Sequence, residues 1–246
     1  MLMVSPRLLA NATVAYLVFD GMHIIFDGRP YFELDIPEWT IALSFTVVLF
    51  LLDDFARYWI HRWLHKVPIL WSFHKVHHSA TALNPFTVFR THPVEAVLFT
   101  FRSALVQGIS TALFFFFFGN KVTLLMVLGA SIFTFLFNIL GSNLRHSPVS
   151  IRYWNIIEFF LMSPAQHHIH HSTAKEHIDK NFGVALSVWD WMFGSLCLSK
   201  AQEGFNFGLK DDKSARQHSI QGLYWDPINE SIKKIINAFN RPHYQH

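Results

Sequence analysis

Residues 61–78 read HRWLHKVPILWSFHKVHH, and five of these eighteen residues are histidine. His61 and His65 stand four apart, which on a helix puts both imidazoles on one face, one turn from each other. His74, His77 and His78 follow at spacings of three and four, again one helical face. The adjacent pair lets a helix offer ligands in two directions. Far downstream the pattern returns in QHHIHH, where His167, His170 and His171 repeat the HxxHH spacing. Eight histidines in three boxes exceed the six positions of an octahedral ion, so two metals are the natural reading. Imidazole suits iron, zinc, copper and nickel. A lone HxxxH arises often by chance and clustered histidines are often merely solvated, but three boxes with a shared spacing are hard to obtain that way.

What surrounds the boxes is apolar. The 246-residue chain is 51% hydrophobic and 15% charged, with 26 Phe and 16 His, a composition that points to a membrane protein. Apolar stretches run over about 8–26, 39–52, 94–118 and 122–140. The last two are long enough to cross a ~30 Å hydrocarbon core at ~1.5 Å per residue. Gly119-Asn120-Lys121 links them as a tight helical hairpin. The second is short, but its helix can run on through Asp53 and Asp54 toward water. The first, weakened by Asp20, Gly21 and His23, has a single Arg7 before it and no convincing cleavage site, so it reads as a retained segment. The Phe114–Phe118 run is expected to face lipid or neighbouring helices.

Charge then orients the chain. With four crossings, Arg7, residues 54–93 and residues from 142 onward share one side and carry 17 of the 20 Lys and Arg. That asymmetry predicts a cytoplasmic location for all three boxes. The net charge of +3 is too modest to suggest nucleic acid, and one cysteine, Cys197, excludes an internal disulfide. A stretch near Ile232–Phe239 is amphipathic and suits either the membrane surface or packing on the domain.

The order HxxxH, HxxHH, apolar hairpin, HxxHH, with the flanks DFARYWIHRWLHKVPILWSFHKVHHS, SPAQHHIHHS and DKNFGVALSVWDWMFGSL, resembles the fatty acid hydroxylase and sterol desaturase superfamily over roughly residues 50–198. The resemblance implies an all-α fold: a bundle of about four membrane helices with a cytosolic helical cap that carries the boxes. On that pattern residues 1–53 hold N-terminal membrane helices, 54–198 the catalytic region and 199–246 a polar tail. The implied chemistry is O2-dependent hydroxylation or desaturation of a membrane lipid at two non-haem irons, with electrons from an external donor such as a ferredoxin or a cytochrome b5-like protein. Motif positions carry His61, His65, His74, His77, His78, His167, His170 and His171 as ligands, and add His146 from SNLRHS. A further histidine of some members falls here on Ser142, which leaves Asn143 or His177 to complete the set. His168 falls between motif positions. His92, in RTHPVE, resembles the HPxE segment of the family and is expected to cap a helix or support a ligand. Asp54, Asp179 and Asp190 are candidates to orient ligands, while Asn181 and Gly183 suit a turn and Trp189, Trp191 and Phe193 suit packing.

Other classes fit less well. A membrane zinc hydrolase needs few histidines and usually a carboxylate, and no HExxH is present. A transporter or b-haem carrier would put its ligands inside the spans, which offer only His23. No dinucleotide-binding GxGxxG is present, so reducing equivalents have to come from a partner. The short N-terminus favours a bacterial inner membrane over the endoplasmic reticulum.

Overall fold

The computed structural model describes residues 4–28, 36–200, 204–209 and 219–240. Among them there is no strand, only the isolated bridges Leu161–Leu186 and Ser172–Phe207. The helices are α1 (Val4–Ile25), α2 (Glu38–Lys66), α3 (Pro68–His78), α4 (Pro93–Phe118), α5 (Leu124–Arg145), α6 (Asn155–Glu158), α7 (Pro164–His171), α8 (Val188–Met192) and α9 (Asp226–Phe239). The all-α expectation holds. Three helices are long and apolar enough to cross a membrane: Glu38–Lys66, the stretch Pro93–Lys121, and Leu124–Gly141. The apolar part of α1, Leu9–Ile25, is shorter. The chain is an integral membrane protein.

It divides into two compact units. One takes the residues up to Arg57 together with Val97–Leu140; the other takes Tyr58–Ala96 and the residues from Gly141 onward. In the first unit the core is Ile41, Phe45 and Leu49 of α2 against Val106 and Phe114 of α4, Val122, and Ala130 of α5. The phenylalanine run is divided by helical phase. Phe114 meets Phe45 at 5.1 Å and Phe116 packs near Phe26 at 5.4 Å, whereas Phe115 is exposed. Gly108 is needed for close approach of α1 to α4, because a Cβ there would lie 2.7 Å from Val14. Most large apolar residues of α5 are exposed, among them Leu125, Phe135 and Leu140, as lipid-facing residues would be. Arg102, inside a span, is neutralised by Asp53, with Nη1 2.7 Å from Oδ1 and 2.9 Å from the Asp53 carbonyl. Arg57 takes the other carboxylate oxygen at 2.7 Å. The hairpin link is a 3-10 turn, Gly119–Lys121, entered with Gly119 at φ +52°, a conformation that favours glycine.

The second unit begins on the continuation of α2, which does run on through Asp53 and Asp54. That helix stops because Pro68 follows. The residue before a proline is driven out of the α region, and Val67 sits at φ −92°, ψ 115°. Proline then serves well as the first residue of the next helix, so α3 restarts at once in a new direction. Helix α9 packs on α3 through Lys75–Glu230, Lys234 Nζ to the Pro68 carbonyl at 2.8 Å and Ser231 Oγ to the Ile69 carbonyl at 3.3 Å. Of the two expectations for this segment, packing on the domain is met, and Ile232, Ile236 and Phe239 still face outward.

Candidate metal centre

Helix phase sorts the histidines before any tertiary contact is considered. Residues four apart share a face and adjacent residues diverge by about 100°. His61 and His65 end α2 together. On α3, His74 and His78 pair while His77 turns away; on α7, His167 and His171 pair while His170 turns away. Helix α7 is held for this by a capping box, in which the Ser163 side chain accepts from Gln166 N at 3.1 Å and the Gln166 side chain accepts from Ser163 N at 3.0 Å.

Tertiary packing gathers these faces into two clusters. His61, His65, His74, His78 and His170 bring one nitrogen each to within 4.8 Å of one another, and His77, His146, His167 and His171 do the same. All nine histidines expected from the boxes and from SNLRHS are therefore in one cluster or the other. His146 Nε2 lies 3.2 Å from His77 Nε2 and 3.0 Å from His167 Nε2. The clusters meet where the His78 and His171 rings stack at 4.3 Å.

In three rings of the first cluster, Nδ1 has an acceptor. His61 Nδ1 meets the Phe182 carbonyl at 2.7 Å, His170 Nδ1 the Lys180 carbonyl at 2.9 Å and His74 Nδ1 Glu95 Oε1 at 3.0 Å. A carbonyl oxygen only accepts, so Nδ1 carries the proton in His61 and His170, and the Nε2 lone pair is left for another partner. The Nε2 atoms of His65, His74, His78, His170 and His171 are buried and make no hydrogen bond. Each such atom costs about 1–3 kcal/mol, and five in one place is a large penalty unless a cation takes the lone pairs. Protonation does not relieve it. Burial first, and then neighbouring imidazoles, hold His77, His78, His167 and His171 well below the ordinary histidine range. Burial pushes His170 down to about 3. These five rings are thus neutral at physiological pH, the state that binds metal. An open cleft lined by Trp71, Thr173, Ile178 and Leu209 reaches His65, His78, His170 and His171.

The remaining sequence candidates lie apart from the clusters. His168 Nε2 donates to the Ser147 carbonyl at 3.0 Å, with its ring 5.7 Å from Phe205. His177 is buried in the 3-10 turn Lys175–His177 and belongs to neither cluster. The side chains of Ser142 and Asn143 lie outside the described residues. His92 Nδ1 accepts from Val94 N at 3.1 Å at the start of α4, which is the capping expectation. Asp179 pairs with Lys66 at 2.6 Å. Sequence reasoning missed Glu95, three residues after His92 in the same HPVE segment, and the two carbonyl acceptors. Backbone oxygens leave no side-chain signature; Asp179 and Asn181, at φ 61° and 57°, mark the tight turn that presents them.

The family model described as fatty acid hydroxylase matches residues 46–195, a stretch holding all nine clustered histidines. The chain belongs to the fatty acid hydroxylase family. Among curated relatives of this fatty acid hydroxylase family chain is an alkylglycerol monooxygenase of Danio rerio, 30% identical over 172 residues, 70% of the chain and 34% of the relative. The alkylglycerol monooxygenase of Homo sapiens is 31% identical over 146 residues, 59% of the chain and 29% of the relative. A putative Delta(7)-sterol-C5(6)-desaturase 2 of Arabidopsis thaliana is 28% identical over 177 residues, 70% of the chain and 55% of the relative. The chain spans about a third of the length of the alkylglycerol monooxygenases it matches. No solved structure matches it significantly.

Proposed function

We propose that the chain is an O2-dependent di-iron oxidoreductase that hydroxylates a C–H bond in the alkyl portion of a membrane lipid. The observation that carries this reading is the pair of buried clusters, five and four histidines strong, in which the Nε2 atoms of His65, His74, His78, His170 and His171 have no hydrogen-bond partner. The five-histidine cluster would hold one iron and His77, His146, His167 and His171 the other. Bound there, an iron pair would supply the oxidising strength for RH + O2 + 2 e⁻ + 2 H⁺ → ROH + H2O, the electrons being drawn from an external donor.

The protein's part is orientation and exclusion of water. Glu95 and the carbonyls of Phe182 and Lys180 hold three imidazoles with Nε2 aimed inward. Burial keeps the His170 ring neutral and limits the approach of competing water. The cleft at Trp71 and Ile178 offers apolar walls beside His65 and His170, suited to an alkyl chain. Hydroxylation is favoured over desaturation because relatives named monooxygenases match at 30% and 31% identity. Electrons would come from a ferredoxin or a cytochrome b5-like donor. The charge asymmetry supports a cytoplasmic location for the clusters.

Metal content of the detergent-purified protein, with Mössbauer spectra of iron-57-grown material, tests this. Close to two non-haem irons per chain is expected, together with a hydroxylated lipid in cells that express the chain. Zinc with little iron, in protein kept reduced, would overturn the assignment.

A further inference from the structure

Within the five-histidine cluster the imidazoles are anchored differently. His74 has a carboxylate directly on Nδ1, whereas His61 Nδ1 meets the carbonyl of Phe182 at 2.7 Å. That carbonyl belongs to the peptide whose N–H is that of Gly183, and Gly183 N–H donates to Asp190 Oδ2 at 2.7 Å. Phe182 N–H donates to Asp190 Oδ1 at 2.8 Å and Ser195 Oγ donates to the same oxygen at 2.6 Å. We propose that Asp190 is a positioning residue for His61, acting through a carboxylate–peptide–imidazole chain that sets how tightly the five-histidine cluster holds its metal. The inference rests on the reading of the clusters as metal sites.

Three observations carry it. First, the two hydrogen bonds at opposite ends of one peptide group reinforce each other. A carboxylate on the N–H increases the negative charge on the carbonyl oxygen, strengthening the bond it accepts by ~10–30%. The arrangement reproduces the carboxylate–histidine pairing common beside metal ligands, with a peptide inserted. Second, the chain of contacts closes on itself. Ser195 Oγ, having given its proton to Asp190, accepts from Tyr58 OH at 3.0 Å, and Tyr58 OH accepts from Arg62 Nη1 at 2.6 Å. Tyr58 and Arg62 lie on α2 beside His61, so the helix that carries the imidazole also braces its acceptor. Third, the peptide is closely packed. A Cβ on Gly183 would lie 2.5 Å from the Leu186 carbonyl and 2.7 Å from Asp190 Oδ2, and Asp190 itself is fully buried. A carboxylate that only closed a turn would not need to be joined to a ligand imidazole by a single peptide.

The test compares iron-57-loaded wild type, Asp190→Asn and Ser195→Ala, as full-length protein in detergent, by iron retention against a chelator and by Mössbauer spectra. Glu95→Gln, which perturbs His74 directly, identifies the doublet of the five-histidine cluster. Asp190→Asn is expected to weaken retention of that iron by about tenfold and to alter its doublet, with the other iron unchanged. Equal loss of both irons, the mark of general destabilisation, would overturn the inference, as would two irons with unaltered doublets. If Asp190→Asn does not yield folded protein, Ser195→Ala decides: a smaller shift of the same doublet supports the inference and an unchanged one overturns it. A wild-type chain that binds no metal overturns the parent reading, and this one with it.

Discussion

Nδ1 of His74 lies 3.0 Å from Oε1 of Glu95, and both side chains are buried. The pair joins the second histidine box to the first turn of α4. A carboxylate in this place fixes the orientation of the ring and leaves Nε2 to face a ligand site. Glu95→Ala should therefore weaken metal retention by about 10- to 100-fold, and Glu95→Gln by less, because the amide oxygen still accepts. Chelator competition on the purified protein measures both, and wild-type retention in Glu95→Ala would contradict the role.

His168 sits between two clustered histidines yet spends its Nε2 on the Ser147 carbonyl. His168→Ala should keep both metals and most activity, with a loss of stability of about 0.5–1.5 kcal/mol for one hydrogen bond. His170→Ala and His171→Ala should each lose metal and turnover together. Metal loss in the first variant and retention in the other two would reverse the assignment of the box.

Acid should destabilise the metal-free protein. Unfolded imidazoles take up protons near pH 6.5, while the folded chain holds His77, His78, His167 and His171 well below that and His170 at about 3. Above pH 6.5 neither state is protonated at these rings and their contribution is intact. As pH falls further the unfolded state binds more protons, so stability drops by up to about 1.4 kcal/mol per pH unit for each ring. Asp190 works the other way. Burial raises it from 3.8 to about 6, so between those values the folded state takes up its proton first and gains. One group does not offset five. The thermal midpoint in detergent should be flat above pH 7 and fall steeply below 6.5; a flat profile down to pH 5 would refute the buried neutral rings.

Arg102 and Asp53 form a buried ion pair inside the spans, at 2.7 Å. Removing one partner strands the other charge, so Arg102→Ala or Asp53→Ala should cost about 3–5 kcal/mol, and replacing both by apolar residues should restore much of it. Unfolding in detergent of the single and double variants measures this. Additive losses would show that the two residues act separately.

Much of this protein is determined by its sequence alone. Hydropathy and length set the spans at α2, α4 and α5, because a backbone in lipid has to satisfy its own hydrogen bonds within a helix. Spacings of three and four set which histidines share a face, because the helical repeat is local. Pro68 set the break that turns one histidine helix into two. The resemblance of the boxes to a known family added His146, whose position after α5 carries no periodic signal of its own.

What only the tertiary structure decided is which faces meet. Nothing local says that His170 joins His61 and His65 while its neighbour His171 joins His77 and His146, since that depends on how α7 docks against α2 and α3. The supports of the ligands were equally hidden. Glu95 reaches His74 across 21 residues of chain, and Phe182 reaches His61 across 121 with a backbone oxygen that every residue possesses. Side-chain identity encodes what a residue can bind; only packing selects, among the buried groups so equipped, the ones brought within hydrogen-bonding distance.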